Sequence, residues 1–125
     1  MELKDVVVVA VEDNFAMLRS IINILPGAHI ATDSEAALKL VERYSPDIIT
    51  VDAGMEENGV HLMRSLRKAC PLAAMIAIAE KEGEWIMNEA CDAGANAFVA
   101  KTDLQLVLPS LISSFRAGKN LQLSF

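Results

Sequence analysis

Apolar residues recur along this chain in short unbroken runs, each followed by a stretch of helical periodicity. The first run, VVVVAV at Val6 to Val11, is β-branched and suits a strand buried on both faces. In the following EDNFAMLRSIINIL, Phe15, Leu18, Ile22 and Leu25 fall at helical spacing, and Asp13 or Asn14 can cap the start. Pro26 and Gly27 end that helix, and His29 to Ala31 form a short strand. A second helix runs through TDSEAALKLVERYSP, capped by Asp33 or Ser34, with Ala37, Leu38 and Val41 on one face and Pro46 beyond its end. DIITV, Asp47 to Val51, is a third strand, and Gly59 to Ala69 a third helix with Leu62, Leu66 and Ala69 inward. MIAIA, Met75 to Ala79, is a fourth strand. EGEWIMNEACDAG is a fourth helix, closed by Gly94 in the left-handed conformation. AFVA, Ala97 to Ala100, is a fifth strand, and Asp103 to Ala117 a fifth helix with Gly118 after it. Pro109 marks either the first turn of a later-starting helix or a kink.

The chain therefore alternates strand and helix five times. Helices of about 10 residues between apolar strands imply parallel pairing with right-handed crossovers. In an open parallel sheet, ligands bind beyond the carboxyl ends of the strands. Glu12 and Asp13 follow the first strand, Asp52 the third, Ala79 and Glu80 the fourth, and Lys101 the fifth. Carboxylates and one ammonium thus converge on one rim.

Clustered carboxylates repel one another, and a divalent cation relieves the repulsion; an all-oxygen set with waters suits Mg²⁺. A nucleophilic carboxylate, a metal and a cation for the phosphoryl oxygens are together the apparatus of phosphoryl transfer. Taken singly, Asp13 reads as a helix cap and Lys101 as a solvated surface lysine. Their conjunction with Asp52, in this order, points to a site. His29 and His61 are far apart in sequence and suggest no histidine chemistry; Met55, Met63 and Met87 read as packing, as do Cys70 and Cys91.

Bulk properties narrow the functional classes. The 125 residues suggest one domain, and 53% hydrophobic content argues against disorder. A net charge of −6 disfavours direct nucleic-acid binding. Two cysteines without metal spacing fit a reducing compartment. No signal peptide or membrane span is read, so a cytoplasmic location is expected.

With these residues in place the sequence resembles the CheY-like receiver domain of two-component response regulators, over nearly its whole length. VVVAVEDNFAMLR looks like the first strand with its acidic pair, PDIITVD like the third strand with its phosphoacceptor, and CDAGANAFVAK like the turn, fifth strand and lysine. The resemblance implies a flavodoxin-like (βα)5 three-layer sandwich with a parallel sheet of order 2-1-3-4-5. It implies Asp52 as phosphoacceptor, Lys101 as its cation, Phe98 as an aromatic switch, and Mg²⁺ held by Glu12, Asp13, Asp52 and the backbone carbonyl of Gly54. It makes residues 1–118 the receiver and 119–125 a tail or the start of a linker. The partners implied are a sensor histidine kinase and a downstream protein or a C-terminal DNA-binding domain, with homodimerisation open. No enzyme activity, membrane contact or direct nucleic-acid contact is expected. Thr102 after Lys101, and the closing SLISSFRAGKNLQLSF, are most like receivers that precede LuxR-type helix-turn-helix domains.

The departures from the family bear on switching. Ala79 stands where receivers carry Ser or Thr, a hydroxyl that hydrogen-bonds the phosphoryl group. Its loss is expected to weaken the coupling of phosphorylation to conformation rather than the transfer step. The loop after Asp52 is one residue shorter than the usual form, and Glu56 and Glu57 add negative charge there. The first expectation is a phosphoacceptor that switches the face formed by helix four, strand five and helix five; Trp85 belongs either to that face or to half-buried packing. The alternative is a pseudo-receiver acting as an interaction module. A nucleotide- or flavin-binding enzyme ranks last, because no glycine-rich phosphate loop occurs.

Overall fold

The computed structural model describes residues 6–55, 58–80 and 84–116. The elements run β1 (Val8–Val11), α1 (Phe15–Ile24), β2 (His29–Ala31), α2 (Ser34–Tyr44), β3 (Ile48–Asp52), α3 (Gly59–Ala69), β4 (Ala74–Ala79), α4 (Glu84–Asp92), β5 (Ala97–Ala100), a 3₁₀ turn (Lys101–Asp103) and α5 (Leu104–Arg116). All strand pairs are parallel, in the order β2-β1-β3-β4-β5, which is the flavodoxin-like order. The expectations for Glu56, Glu57, the Trp85 side chain, and residues 117–125 with Gly118 fall outside what is described.

The unbroken apolar runs have the predicted cause. Every residue of β1, β3 and β4 is buried, because helices cover both faces of the sheet. On one face Val9, Val11, Ile49, Val51, Met75 and Ala77 meet α2, α3 and α4 through Val41, Leu66 and Ala90. On the other, Val8, Ala10, Ile48, Ile76 and Val99 meet α1 and α5 through Ile21, Leu108 and Ile112. At about 25 cal/mol per Å² of apolar area, these two layers are the main source of stability.

Helix ends are set locally. Asn14 caps α1, its Oδ1 accepting from the Met17 N–H at 3.0 Å. Asp33 caps α2 through the Ala36 N–H at 2.8 Å, and Asn58 caps α3 through the His61 N–H at 3.0 Å. Gly94, at φ +112°, is the left-handed residue expected after α4. At the strand-entry end, the Arg67 guanidinium donates to the carbonyls of Cys70, Pro71, Ala73 and Gly94 and to Asn96 Oδ1, at 2.7 to 3.3 Å. Asn96 Oδ1 also accepts from the Met75 N–H, so one side chain ties α3 to the starts of β4 and β5.

Several sequence expectations need correction. β1 begins at Val8 rather than Val6, because pairing with β3 starts there. α1 buries Ile21, and its C-cap Leu25 is buried as expected, while Phe15 is 75% exposed and Ile22 is exposed as well; the apolar-rich helix offers two overlapping faces, and packing against α5 favours the one through Ile21. Leu38 is exposed on α2. On α3 Met63 points inward, whereas Ala69 is exposed. Cys91 is exposed rather than packed. Pro109 lies inside α5, past its first turn, and removes one rung of its hydrogen-bond ladder.

Candidate functional site

β1, β3 and β5 deliver Glu12, Asp13, Asp52 and Lys101 to the same rim. Because β3 extends one residue beyond the predicted DIITV, Asp52 is its last member, in register with Ile78 of β4 and almost fully buried. Alternation puts Thr50 and Asp52 on the side of the sheet covered by α1 and α5. Asn14 takes the capping role at α1, so Asp13 is not needed as the cap.

The Asp52 carboxylate is held at both oxygens. Oδ1 accepts from the Gly54 N–H at 2.9 Å, and Oδ2 faces Lys101 Nζ at 3.3 Å. The turn beneath is fixed by the Ala53 N–H donating to the Ile78 carbonyl at 2.8 Å. Gly59 allows α3 to start directly against this turn. A Cβ there would collide with the Asp52 carbonyl oxygen and stand 2.9 Å from Ala53 backbone atoms.

Oxygen ligands from Glu12, Asp13 and Asp52 lie within 4.8 Å of one another. Glu12 is wholly buried. Its Oε2 accepts from the Asn14 N–H at 3.1 Å, and its Oε1 has no hydrogen-bond partner. Burial, and then the neighbouring Asp52 carboxylate, push the Glu12 pKa from 4.5 up to about 8. A buried acceptor lacking a partner beside two more carboxylates is what a hard cation with oxygen ligands satisfies, so the donor set fits Mg²⁺. Asp13, Asn14, Asp52, Gly54 and Lys101 line an open basin of about 430 Å³ in front of these groups. Burial alone would lower the Lys101 pKa, but the charges of Asp52, Glu12 and Glu80 outweigh it and raise it, so the ammonium stays protonated.

The structure thus brings Glu12, Asp13, Asp52, Gly54 and Lys101 together. Ala79 and Phe98 belong to the apolar cluster on the face packed against α2, α3 and α4. Ala79 is buried opposite Ala100, and Phe98 is half-buried opposite Ala77. Two participants carried no clear sequence signal. Gly59 matters for a close backbone approach, and Glu80, noted only as a strand-end acid, has its Oε1 3.9 Å from Lys101 Nζ.

Residues 8–110 match the response regulator receiver domain. The chain belongs to this family. It is a CheY-like receiver of the two-component type, most like those that precede LuxR-type domains. It is 30% identical over 90 residues to the DNA-binding transcriptional activator EvgA of Escherichia coli (strain K12). That alignment covers 71% of this chain and 43% of EvgA, so the receiver spans less than half of that relative. A LuxR-family two-component response regulator from Aurantimonas sp. SI85-9A1 superposes with a TM-score of 0.76 at 24% identity, over 92% of this chain and 87% of the other. A CheY-like receiver from Methanospirillum hungatei JF-1 gives 0.73 at 19% identity, over 89% and 96%. At these identities the two structures speak for the fold. Among the described residues no helix is long and apolar enough to cross a membrane.

Proposed function

We propose that this receiver accepts a phosphoryl group on Asp52 from a sensor histidine kinase. The observation that carries the reading is the clamped carboxylate. Asp52 is buried at a strand end, with Oδ1 held by the Gly54 N–H, Oδ2 facing an ammonium, and two further acids alongside. In the transfer, a carboxylate oxygen of Asp52 bonds to phosphorus as the donor's P–N bond to imidazole breaks, leaving a mixed anhydride. Gly54 fixes the rotamer that exposes the attacking oxygen to the basin. Lys101 exchanges the carboxylate oxygen for a phosphoryl oxygen and stabilises the charge there. Glu12, Asp13, Asp52 and the Gly54 carbonyl would hold Mg²⁺, which supplies charge neutralisation for the phosphoryl oxygens when bound. The face formed by α4, β5 and α5 would carry the output to a downstream protein or an attached DNA-binding domain, or to a second receiver. The setting for this exchange is cytoplasmic.

The experiment is incubation with Mg²⁺ and a small phosphodonor, followed by intact mass. One phosphate adduct is expected in the parent and none in Asp52→Asn. An adduct that survives Asp52→Asn contradicts the assignment. Ala79 favours a second reading, an interaction module in which phosphorylation no longer switches the domain, because the buried methyl offers the phosphoryl group no hydrogen bond. An adduct that forms yet leaves partner binding unchanged selects that reading.

A further inference from the structure

Among the described residues, two buried side-chain oxygens lack a hydrogen-bond partner: Glu12 Oε1 and Thr50 Oγ1. A cation at the rim accounts for the first but not for the second, since Thr50 is wholly buried and lies two residues below Asp52 on β3. Both residues are on the same side of the sheet. Thr50 pairs with Ala10 of β1 and Ile76 of β4, and Glu12 stands two residues beyond Ala10, so alternation gives it the same face. The two are diagonal neighbours on adjacent strands. A strand spacing of about 4.8 Å and a rise of about 3.3 Å per residue put their Cα atoms roughly 8 Å apart, a span that a glutamate side chain closes directly or through one water.

Other partners on this face are taken or absent. The layer around Thr50 is built from Ala10, Ile21, Ile48, Ile76 and Leu108, whose side chains carry no polar group. Asp52 has Oδ1 held by the Gly54 N–H and Oδ2 by Lys101. Glu12 Oε2 accepts from the Asn14 N–H, which leaves Oε1 as the unused acceptor. Thr50 holds the unused donor.

We propose that Thr50 is a positioning residue for the cation site, its hydroxyl donating to Glu12 and so holding the buried carboxylate in the orientation that serves the ion. The inference rests on the reading of Glu12, Asp13 and Asp52 as metal ligands. Carboxylates that bind a metal gain precision from an outer hydrogen-bond partner, and loss of such a partner lowers metal affinity about 10- to 100-fold. Thr50 touches neither ion nor phosphoryl group and acts only through Glu12.

The test separates the hydroxyl from the methyl. Thr50→Val keeps the branched shape and removes the hydroxyl; Thr50→Ser keeps the hydroxyl and removes the methyl. For the parent and both variants, Mg²⁺ affinity is measured by calorimetric titration and the stability of the metal-free protein by its urea midpoint. Thr50→Val is expected to weaken Mg²⁺ binding about tenfold while its midpoint stays or rises, because an unpaired hydroxyl has left an apolar layer. Thr50→Ser is expected to bind Mg²⁺ within about twofold of the parent while its midpoint falls, because a buried methyl is lost. A threonine that served packing alone would not move affinity and stability in opposite senses. Parent-like affinity in Thr50→Val overturns the role given to Thr50 and leaves the cation site standing. Affinity that falls in both variants in step with stability overturns that role as well. If the parent itself shows no saturable Mg²⁺ binding, the cation site fails and the role of Thr50 falls with it.

Discussion

At one end of the sheet a lysine ammonium sits among carboxylates; at the other an arginine guanidinium sits among backbone carbonyls. Both cations join segments that are distant in sequence, but their surroundings are balanced differently. Arg67 has geometry-matched acceptors on α3, on the entry to β4 and on the turn before β5, and Gly94 leaves room for it, since a Cβ there would press on the side chain at 3.0 Å. Lys101 faces Asp52 and Glu80, while Glu12 Oε1 is buried beside them with no donor. A satisfied polar network of the first kind serves the scaffold. A buried acid left short of positive charge is costly unless a ligand relieves it, which is the ground for placing the proposed cation at this end.

The contrast is broken most severely by Arg67→Ala. It strands the carbonyls of Cys70, Ala73 and Gly94 and should lower unfolding stability by about 4 kcal/mol in urea melts. Phosphate labelling of the surviving folded protein should be unchanged. Arg67→Lys should recover only a fraction of the loss, since an ammonium cannot reproduce the planar fork. A loss below about 1 kcal/mol in Arg67→Ala would mean that water replaces the clamp without penalty.

The opposite rim responds to pH rather than to truncation. In the metal-free protein the Glu12 pKa is raised by burial from 4.5 to about 8, so the folded state keeps a proton that the unfolded chain releases. Folding is therefore linked to proton binding between those values, and stability falls as pH rises through that window. Urea melts without metal at the two ends of the window should differ by about 2 kcal/mol, with the acid end the more stable, after allowance for relaxation around the buried group. Glu12→Gln should flatten that dependence; an unchanged slope would assign it to another group.

The smallest effect concerns switching. Ala79→Thr supplies the missing hydroxyl, whose hydrogen bond to a charged group is worth roughly 1.5 kcal/mol. Amide shifts of α4 on adding beryllofluoride should be larger in the variant than in the parent. Identical responses would show that position 79 does not limit the coupling.

What the sequence made legible follows from the same distinction. Strands buried on both faces leave continuous apolar runs, so β1, β3 and β4 were readable to within two residues, and a parallel α/β order puts strand-end acids on one rim. Asp52 and Lys101 carry side-chain chemistry and stand out. Arg67 does not, because its acceptors are mostly main-chain carbonyls, which any residue possesses. Gly59 is silent for a similar reason, since its role is to let a backbone pass close to Asp52. The face of α1 was misread because Phe15, Leu18, Ile21, Ile22 and Leu25 satisfy two helical stripes at once, and only packing against α5 chooses between them.

The central claim, that the acidic rim is completed by a divalent cation, meets its most direct test in calorimetric titration of metal-free protein with Mg²⁺ near neutral pH, in two buffers of different ionisation enthalpy. The account predicts saturable binding with release of close to one proton per ion, taken from Glu12, and loss of that release in Glu12→Gln. Absence of saturable binding, or binding with no proton released, would contradict it.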